Sequence, residues 1–203
     1  MDLEAPWRCR LRGVVWWGLP GARAREALEA QLGDDVTSGR RPVLVVGGLL
    51  EYLDTPVGPY REVLAGALLL GLGLPVVTVP FIAVDSPASV EAGRRNWALP
   101  KTVCSFERSS AGALTAVGSD WRVTAEPGRR PLPAPGLVRL PLVQASPDGA
   151  PLTSPLALRG WWRPCVVAVD LAAQPSLSDW FPAGRCVGAV GSSVTLRLGT
   201  ARR

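Results

Sequence analysis

Residues 93–106 read GRRNWALPKTVCSF, and this stretch holds the only lysine of the chain, Lys101. The 22 basic residues are otherwise all arginine. Arginine would serve equally well at an ordinary surface position, but it cannot lose its proton near neutral pH and attack a carbonyl carbon. Apolar residues on both sides of Lys101 disfavour a charged ammonium group. A chemical role for Lys101 is one interpretation of this stretch, and a lysine left by chance at the end of a strand is the alternative.

The composition excludes several classes of catalytic site. No histidine occurs among the 203 residues, so a Ser-His-Asp triad, a Cys-His pair and a histidine-ligated zinc ion are excluded. Hydrophobic residues make up 47% of the chain and charged residues 19%, which suffices for a core, and we predict one domain over residues 1–203. The net charge of +5 permits an anionic partner. No stripe of aromatic and basic residues typical of nucleic-acid binding occurs, and we expect no nucleic-acid partner.

Cysteine usage and the apolar segments bear on the cellular compartment. The N-terminal sequence MDLEAPWRCR is acidic where a signal peptide is basic and then apolar. The uncharged run over residues 63–84 is interrupted by glycines and prolines, so we interpret it as two strands and expect no membrane association. The cysteines match no zinc or redox motif, and we expect reduced, mostly buried thiols in a cytoplasmic protein. They are Cys9, Cys104, Cys165 and Cys186.

Helix-forming and strand-forming patterns alternate along the chain. Residues 20–32 and 86–96 have the composition of helices, with i,i+4 ion pairs such as Arg25 and Glu29. Apolar, β-favouring runs separated by turn residues predict strands at residues 14–17, 42–50, 62–70, 75–84, 114–117, 121–125, 137–143, 156–162, 166–169 and 187–198. These patterns predict an α+β protein that is mainly antiparallel β, with a curled or barrel-like sheet and two or three short helices.

Two motifs in the first half of the chain resemble those of a known family. Gly93-Arg94 followed by Trp97-Ala-Leu-Pro-Lys101 resembles the Gly-Arg-Glu-x-x-Gly/Ala-x-Pro-Lys signature of the acetoacetate decarboxylase-like superfamily. The segment Gly58-Pro-Tyr-Arg-Glu62 resembles the Gly-x-Tyr-x-Glu segment of the same family. The resemblance covers roughly residues 10–110, and the second half of the chain agrees through its β pattern.

The resemblance implies a fold, a reaction and a set of site residues. In that family the signature lysine forms a Schiff base with a β-keto acid, and the glutamate faces the lysine across a cavity. By resemblance, Lys101 is the nucleophile, and Glu62 positions the substrate or moves a proton. The implied partner is a small-molecule keto acid, with no cofactor and no metal. The candidate substrate-binding residues within the matching motifs are Tyr60, Arg94, Trp97 and Leu99.

The chain also departs from the family pattern. Thr102 replaces the second lysine of typical decarboxylases, and residues 45–48 replace a second glutamate, with Glu51 a few positions away. Decarboxylation of a β-keto acid is the leading prediction from the resemblance. Because of these departures, two alternatives remain: a lysine-dependent aldolase, dehydratase or cyclase, and a non-catalytic ligand-binding protein. If a neighbouring cation is needed, Arg94, Arg95 or Arg108 must supply it, and otherwise burial of the lysine acts alone. The resemblance also implies an N-terminal arginine in the site, for which Arg10 and Arg12 are the candidates.

Eight tryptophans are many for a chain of this length, and four of them form two doublets. Neighbouring residues of a strand face opposite sides. In Trp16-Trp17 and in Trp161-Trp162 one member is therefore expected in the core and the other at a pocket wall or a subunit contact. Exposed tryptophan faces and sheet edges lead us to expect a homo-oligomer.

Overall fold

Eleven strands and four helices make up the part of the chain that this computed structural model describes, residues 3–71, 73–109, 113–129, 131–173 and 175–203. The strands are β1 (Trp7–Gly18), β2 (Arg40–Asp54), β3 (Tyr60–Gly71), β4 (Val76–Val84), β5 (Lys101–Val103), β6 (Ser105–Arg108), β7 (Leu114–Val117), β8 (Arg122–Pro127), β9 (Ala134–Ala145), β10 (Pro151–Ala172) and β11 (Gly184–Leu198). The helices are α1 (Ala24–Leu32), α2 (Asp34–Thr37), α3 (Pro87–Trp97) and α4 (Pro175–Ser178).

The sheet closes on itself. Its strand order is β11-β1-β2-β3-β4-β9-β10, and β10 pairs again with β11, which completes a ring of strands. Within this ring all pairs are antiparallel except β4 with β9. Strands β8, β7 and β6 extend the sheet outward from the second half of β10. The predicted fold class, mainly antiparallel β with a barrel-like sheet and short helices, is confirmed.

The boundaries of two elements differ from the prediction. Residues 156–162 and 166–169, predicted as two strands, lie in one strand, β10; its pairing with β11 shifts register between Trp161 and Trp162, where β11 holds one extra residue. The first half of β10 pairs with β9 and its second half pairs with β8. Helix α1 begins at Ala24, four residues after the predicted start.

Two clusters of apolar side chains fill the space inside the sheet and beneath the helices. Trp16 is fully buried in the first cluster, as predicted for one member of its doublet, and lies opposite Gly47 of β2. A Cβ atom on Gly47 would lie 2.2 Å from Cε2 of that indole ring, so only glycine leaves room for it. The second cluster contains Tyr52, Tyr60 and Trp97 and surrounds the candidate site.

Helix α3 connects two parallel strands beside the site. Ser86 caps the helix, since its Oγ accepts a hydrogen bond from Ser89 N at 3.3 Å, and Pro87 occupies the first turn. The helix ends at Ala98, which has a left-handed backbone with φ of 52°. The chain then returns alongside β4, with Lys101 paired to Ile82.

No helix within the described ranges is long and apolar enough to span a membrane. The single domain over residues 1–203 and the cytoplasmic location remain predictions.

Candidate active site

The amino group of Lys101 lies among three oxygen atoms. Its Nζ is 2.9 Å from Glu62 Oε2, 2.9 Å from Ser89 Oγ and 3.5 Å from Tyr60 OH. It also lies 5.1 Å from the centre of the Tyr60 ring. An ammonium group has three N–H donors, so each can point to one of these oxygens. Lys101 is 4% exposed and Glu62 is 2% exposed, which makes this a buried ion pair.

Strand geometry places Glu62 in the site. Side chains two residues apart in a strand share a face, so Tyr60 and Glu62 of β3 point the same way. Tyr52 of β2 is paired directly with Tyr60, and the two rings stack 4.5 Å apart at 14°. The Tyr52 hydroxyl donates a hydrogen bond to Glu62 Oε1 at 3.1 Å. Both carboxylate oxygens of Glu62 are therefore occupied, one by Tyr52 and the other by Lys101.

Helix α3 provides two contacts to Lys101 from one face. Ser89 and Gly93 are four residues apart and therefore lie on the same side of the helix. A Cβ atom on Gly93 would lie 2.6 Å from Lys101 Cδ and 2.9 Å from Cε. The absence of a side chain at Gly93 thus lets the lysine stem lie against the helix. Arg94 fixes the backbone at the same point, since its Nε donates to the Lys101 carbonyl at 2.9 Å.

The other ionisable groups of the site keep their protons near neutral pH. Burial, and then the negative charge of Glu62, raise the pKa values of Tyr52 and Tyr60 well above the usual value of 10. Burial, and then Glu62, also raise the pKa of the Cys9 thiol to about 12, against an opposing effect of Lys101. These groups can donate hydrogen bonds, but neither the phenols nor the thiol is an anionic nucleophile at neutral pH.

Only one positive and one negative side chain are buried in the described part of the chain, and they are Lys101 and Glu62. Arg94, Arg95 and Arg108, the expected sources of a second cation, are exposed. The partner of the Lys101 ammonium group is therefore a carboxylate.

The remaining candidates for a second charge lie on the outer surface. The side chains of Arg10 and Arg12 are 69% and 55% exposed, and Arg12 Nε lies 2.6 Å from Glu51 Oε2. Glu51 precedes Tyr52 in β2 and so faces away from the site. Neither arginine is brought to Lys101, and Glu51 does not act there as a second glutamate. The ranges that the structure describes contain no group of three cysteine, aspartate or glutamate side chains arranged to hold a metal ion.

The sequence-based candidates are distributed unequally around the site. Tyr60, Glu62 and Lys101 lie together, and Arg94 contacts the backbone of Lys101. Trp97 is buried, packs edge-on against Trp7 at 5.1 Å, and its Nε1 donates to the Gly199 carbonyl at 2.7 Å. Leu99 is buried in the same apolar cluster. A part for these side chains in substrate binding stays a prediction.

Sequence reasoning missed Ser89 and Tyr52. Ser89 is one helical turn before Gly93, a spacing that places it on the face of α3 that meets the lysine. Tyr52 and Tyr60 are separated by a short turn of hairpin type at residues 55–58, which makes cross-strand pairing of the two aromatic rings a reasonable expectation. Both signals exist in the sequence but are weak, because neither residue type is rare in a core.

The chain has the fold of acetoacetate decarboxylase-like enzymes. The enduracididine biosynthesis enzyme MppR complexed with pyruvate superposes with a TM-score of 0.70 at 13% sequence identity, covering 98% of this chain and 90% of that chain. An acetoacetate decarboxylase from Legionella pneumophila gives 0.62 at 14% identity, covering 98% and 88%. An acetoacetate decarboxylase-like enzyme from Sphingomonas wittichii RW1 gives 0.60 at 14%, covering 98% and 93%.

No protein-family model matches the chain, and no curated protein matches it. The similarity to the solved structures, at these identities, is a similarity of fold.

Proposed function

We propose that this protein is an enzyme that forms an imine between Lys101 and the carbonyl carbon of a small substrate. The observation that carries the proposal is the buried amino group, which lies 2.9 Å from a carboxylate and 2.9 Å from a hydroxyl group. A lysine with a proton acceptor in contact is the arrangement that amine nucleophiles require. The fold of acetoacetate decarboxylase-like enzymes supports the same chemistry.

Glu62 is the group that can take the proton from Lys101. An ammonium nitrogen has no free electron pair, so Nζ first transfers a proton to Glu62 Oε2 across the 2.9 Å contact. The nitrogen then forms a bond to the carbonyl carbon, and the C=O electron pair moves to the oxygen, which takes up one of the two protons that the nitrogen still carries. The resulting carbinolamine loses its hydroxyl as water, using the proton held by Glu62. An iminium cation remains, beside the Glu62 carboxylate.

The iminium cation accepts an electron pair from the substrate. Two alternative reactions can supply that electron pair. In the first, which the sequence resemblance implies, the bond to the carboxylate carbon of a β-keto acid breaks, CO2 leaves, and its bonding electrons form an enamine. In the second, a proton leaves the α-carbon and the enamine attacks an aldehyde, as an aldolase, dehydratase or cyclase requires. Structures of MppR hold pyruvate or the condensation product of pyruvate and imidazole 4-carboxaldehyde, which supports the second reaction.

We further propose that the protein is a homo-oligomer. Trp161, the more exposed member of its doublet, is 52% exposed on β10. Val166 of β10 and Val187 of β11 form a cross-strand pair in which both side chains are exposed. Exposed apolar side chains on a sheet surface are typical of subunit contacts. Analytical ultracentrifugation tests this, and a monomer at micromolar concentration would contradict it.

Borohydride trapping tests the proposed function directly. The protein is incubated with acetoacetate, with pyruvate or with a simple aldehyde, and is then reduced with borohydride. Because Lys101 is the only lysine, the only other amine is the chain terminus, and the mass gain of the intact protein reports on one side chain. We expect a single adduct that maps to Lys101.

Lys101→Arg is the matched control, because arginine keeps the positive charge beside Glu62 but forms no imine under these conditions. The control should show no adduct beyond the chain terminus. Binding of a carbonyl compound without trapping would contradict the enzymatic proposal and would favour a ligand-binding protein. Release of CO2 from acetoacetate, measured in parallel, separates decarboxylation from condensation.

A further inference from the structure

Imine formation at Lys101 includes a proton transfer that needs a group besides Glu62. When the neutral amine adds to a carbonyl carbon, the nitrogen carries two protons and a positive charge, and the oxygen carries a negative charge. One proton must pass from that nitrogen to that oxygen before water can leave. A direct transfer runs through a strained ring of four atoms, the moving hydrogen included. A hydroxyl group that accepts one proton and donates another enlarges the ring to six atoms and allows straighter hydrogen bonds.

Glu62 is already engaged at this stage. It holds the proton that it took from Lys101 across the 2.9 Å contact, and it needs this proton to expel the hydroxyl as water. Its other carboxylate oxygen accepts a hydrogen bond from the Tyr52 hydroxyl at 3.1 Å. The transfer from nitrogen to oxygen therefore calls for a second group that can accept and donate a proton at once.

The hydroxyl group of Ser89 has the required position. Its Oγ lies 2.9 Å from Lys101 Nζ, within the range of about 2.6–3.2 Å over which a side chain moves a proton. A serine hydroxyl carries one proton and two electron pairs, so it can accept from the nitrogen and donate to the oxygen in the same step. Once the C–N bond has formed, the substrate oxygen is only two bonds from Nζ and therefore close to any group that contacts this nitrogen.

Burial favours this hydroxyl over a water molecule from bulk solvent. Ser89 is 0% exposed and Lys101 is 4% exposed. Ser86 caps α3 and its Oγ accepts a hydrogen bond from Ser89 N at 3.3 Å, which fixes the first turn of the helix. Ser89 shares a helix face with Gly93, against which the lysine stem lies. Helix α3 thus holds the hydroxyl against the nitrogen.

Tyr60 carries the other hydroxyl beside the nitrogen, and its position is less suitable. Its oxygen lies 3.5 Å from Lys101 Nζ, at the limit of a hydrogen bond. The ring is also held by stacking on Tyr52, with the ring centres 4.5 Å apart. A hydroxyl at this distance can bind the substrate oxygen but is too far away to accept the proton from the nitrogen directly.

We propose that Ser89 is a catalytic residue that relays this proton. In the adduct, Nζ gives one proton to Ser89 Oγ while the Ser89 hydroxyl proton passes to the substrate oxygen, so the serine is unchanged at the end. The product is the neutral carbinolamine, with one proton left on nitrogen, and Glu62 then protonates its hydroxyl, which leaves as water. The proposal rests on the proposed function, since it assumes imine formation.

Ser89→Ala removes the hydroxyl and keeps a small side chain that favours the helix. The rate of imine formation with pyruvate and with acetoacetate is measured by quenching the reaction with borohydride at set times. Proton transfer by a positioned side chain typically contributes about 10²–10⁴-fold. We expect a loss of at least about tenfold, because a water molecule in the vacated space replaces part of the relay.

Alkylation of Lys101 by iodoacetamide separates a relay from a role in positioning the amine. This reaction forms a C–N bond and releases iodide and a proton, and no proton passes to a substrate oxygen. Lys101 is the only lysine, so peptide mass mapping distinguishes its adduct from those of the cysteines. Dividing the rate of imine formation by the rate of alkylation corrects for any change in the amount of free amine. The ratio should fall at least about tenfold in Ser89→Ala.

Ser146→Ala is the matched control. Ser146 is also a buried serine, but its hydroxyl donates to the Ala150 carbonyl in the turn before β10. The control should leave both rates unchanged. Ser89→Thr retains a hydroxyl and decides the matter if iodoacetamide leaves Lys101 unmodified, since a relay requires it to form the imine faster than Ser89→Ala. Ser89→Cys, with a weaker donor of similar size, replaces the alanine variant if that variant does not fold.

The possible outcomes separate the relay from the proposed function. A lower ratio in Ser89→Ala supports both. Equal slowing of imine formation and alkylation shows that Ser89 only positions the amine and overturns the relay, as does an unchanged rate of imine formation; both leave the imine-forming function standing. Absence of any imine in the wild-type protein, with every carbonyl compound tried, overturns the proposed function and the relay with it.

Discussion

At the scale of single residues, Gly93 matters because it has no side chain, which leaves room for the stem of Lys101. It lies within α3, where glycine costs about 1 kcal/mol of helix stability relative to alanine. The Lys101 stem occupies the space that a methyl group would need, with Cδ 2.6 Å from the position of a Cβ atom. The glycine is thus a positioning residue that acts through Lys101.

Gly93→Ala is expected to slow imine formation at Lys101 by at least about tenfold, because the lysine stem must move and its nitrogen leaves Glu62. Borohydride trapping with the preferred carbonyl compound measures the rate, and thermal denaturation measures the stability.

Gly66→Ala is the control for that experiment, since a Cβ atom there would meet its nearest neighbour at 3.5 Å, an ordinary contact. A Gly93→Ala protein with higher thermal stability and unchanged trapping would show that helix propensity prevails and that Gly93 does not position the lysine.

At the scale of elements, Glu51 holds several strands together on the outer face of the sheet. It is paired across β1 with Arg12 and across β3 with Arg61, and Arg108 of β6 also binds it. Burial alone would raise the pKa of Glu51, but hydrogen bonds from Arg12 and Arg108 outweigh it and lower that pKa below the usual 4.5. The charged form of the Glu51 side chain therefore stabilises the folded state more than its protonated form does.

Glu51→Gln removes the charge that the arginine side chains bind and should lower the free energy of unfolding near pH 7. The loss should be limited to about 1–2 kcal/mol, because those arginine side chains are partly exposed. A group whose pKa falls on folding stabilises the protein above its unfolded-state pKa and loses that effect as the pH drops through the folded-state value. The difference between wild type and variant should accordingly shrink below about pH 4.5. Urea denaturation at several pH values measures it.

Glu29→Gln is the matched control, because Glu29 pairs with Arg25 on the exposed face of α1. Loss of this ion pair should lower the free energy of unfolding by no more than about 0.5 kcal/mol. Equal losses for both variants would contradict the role of Glu51 in joining strands.

At the scale of the whole molecule, the ring of strands closes through β4 and β9. Among the described residues these strands share one registered backbone pair, Val77 with Leu142. Buried side chains complete the seam: Thr78 Oγ1 donates to Gln144 Oε1 at 3.1 Å, and Gln144 Nε2 donates to the Val79 carbonyl at 3.0 Å. Side-chain hydrogen bonds thus supplement the short backbone ladder.

Gln144→Leu should lower the free energy of unfolding by about 2–3 kcal/mol, because it leaves the buried Thr78 hydroxyl and the partly buried Val79 carbonyl without this partner. Chemical denaturation measures the loss. Gln31→Leu serves as the control. Gln31 is an exposed residue of α1, and its amide donates to the carbonyl of Pro80 in β4, the strand that also contains Val79. Its effect should stay below about 1 kcal/mol. A Gln144→Leu protein as stable as this control would show that the seam does not depend on the amide.

The sequence by itself determined the class of fold and the central pair of the site. Period-two apolar runs, turn residues and two helical segments are local features, and they are sufficient to predict a mainly antiparallel, barrel-like sheet. The lone Lys101 and the segment ending in Glu62 were readable because their residue types and spacings match a family pattern.

Only the tertiary structure decided what surrounds that pair. The contacts of Ser89 and Tyr52, the outward direction of Glu51 and the net charge of the site depend on how strands distant in sequence are placed in register. The same holds for β10, where residues 156–162 and 166–169, predicted as two strands, form one strand that pairs with β11 along their whole length. Register and closure result from packing across the whole sheet, where a shift of one residue would exchange its inner and outer faces, and no local pattern contains that information.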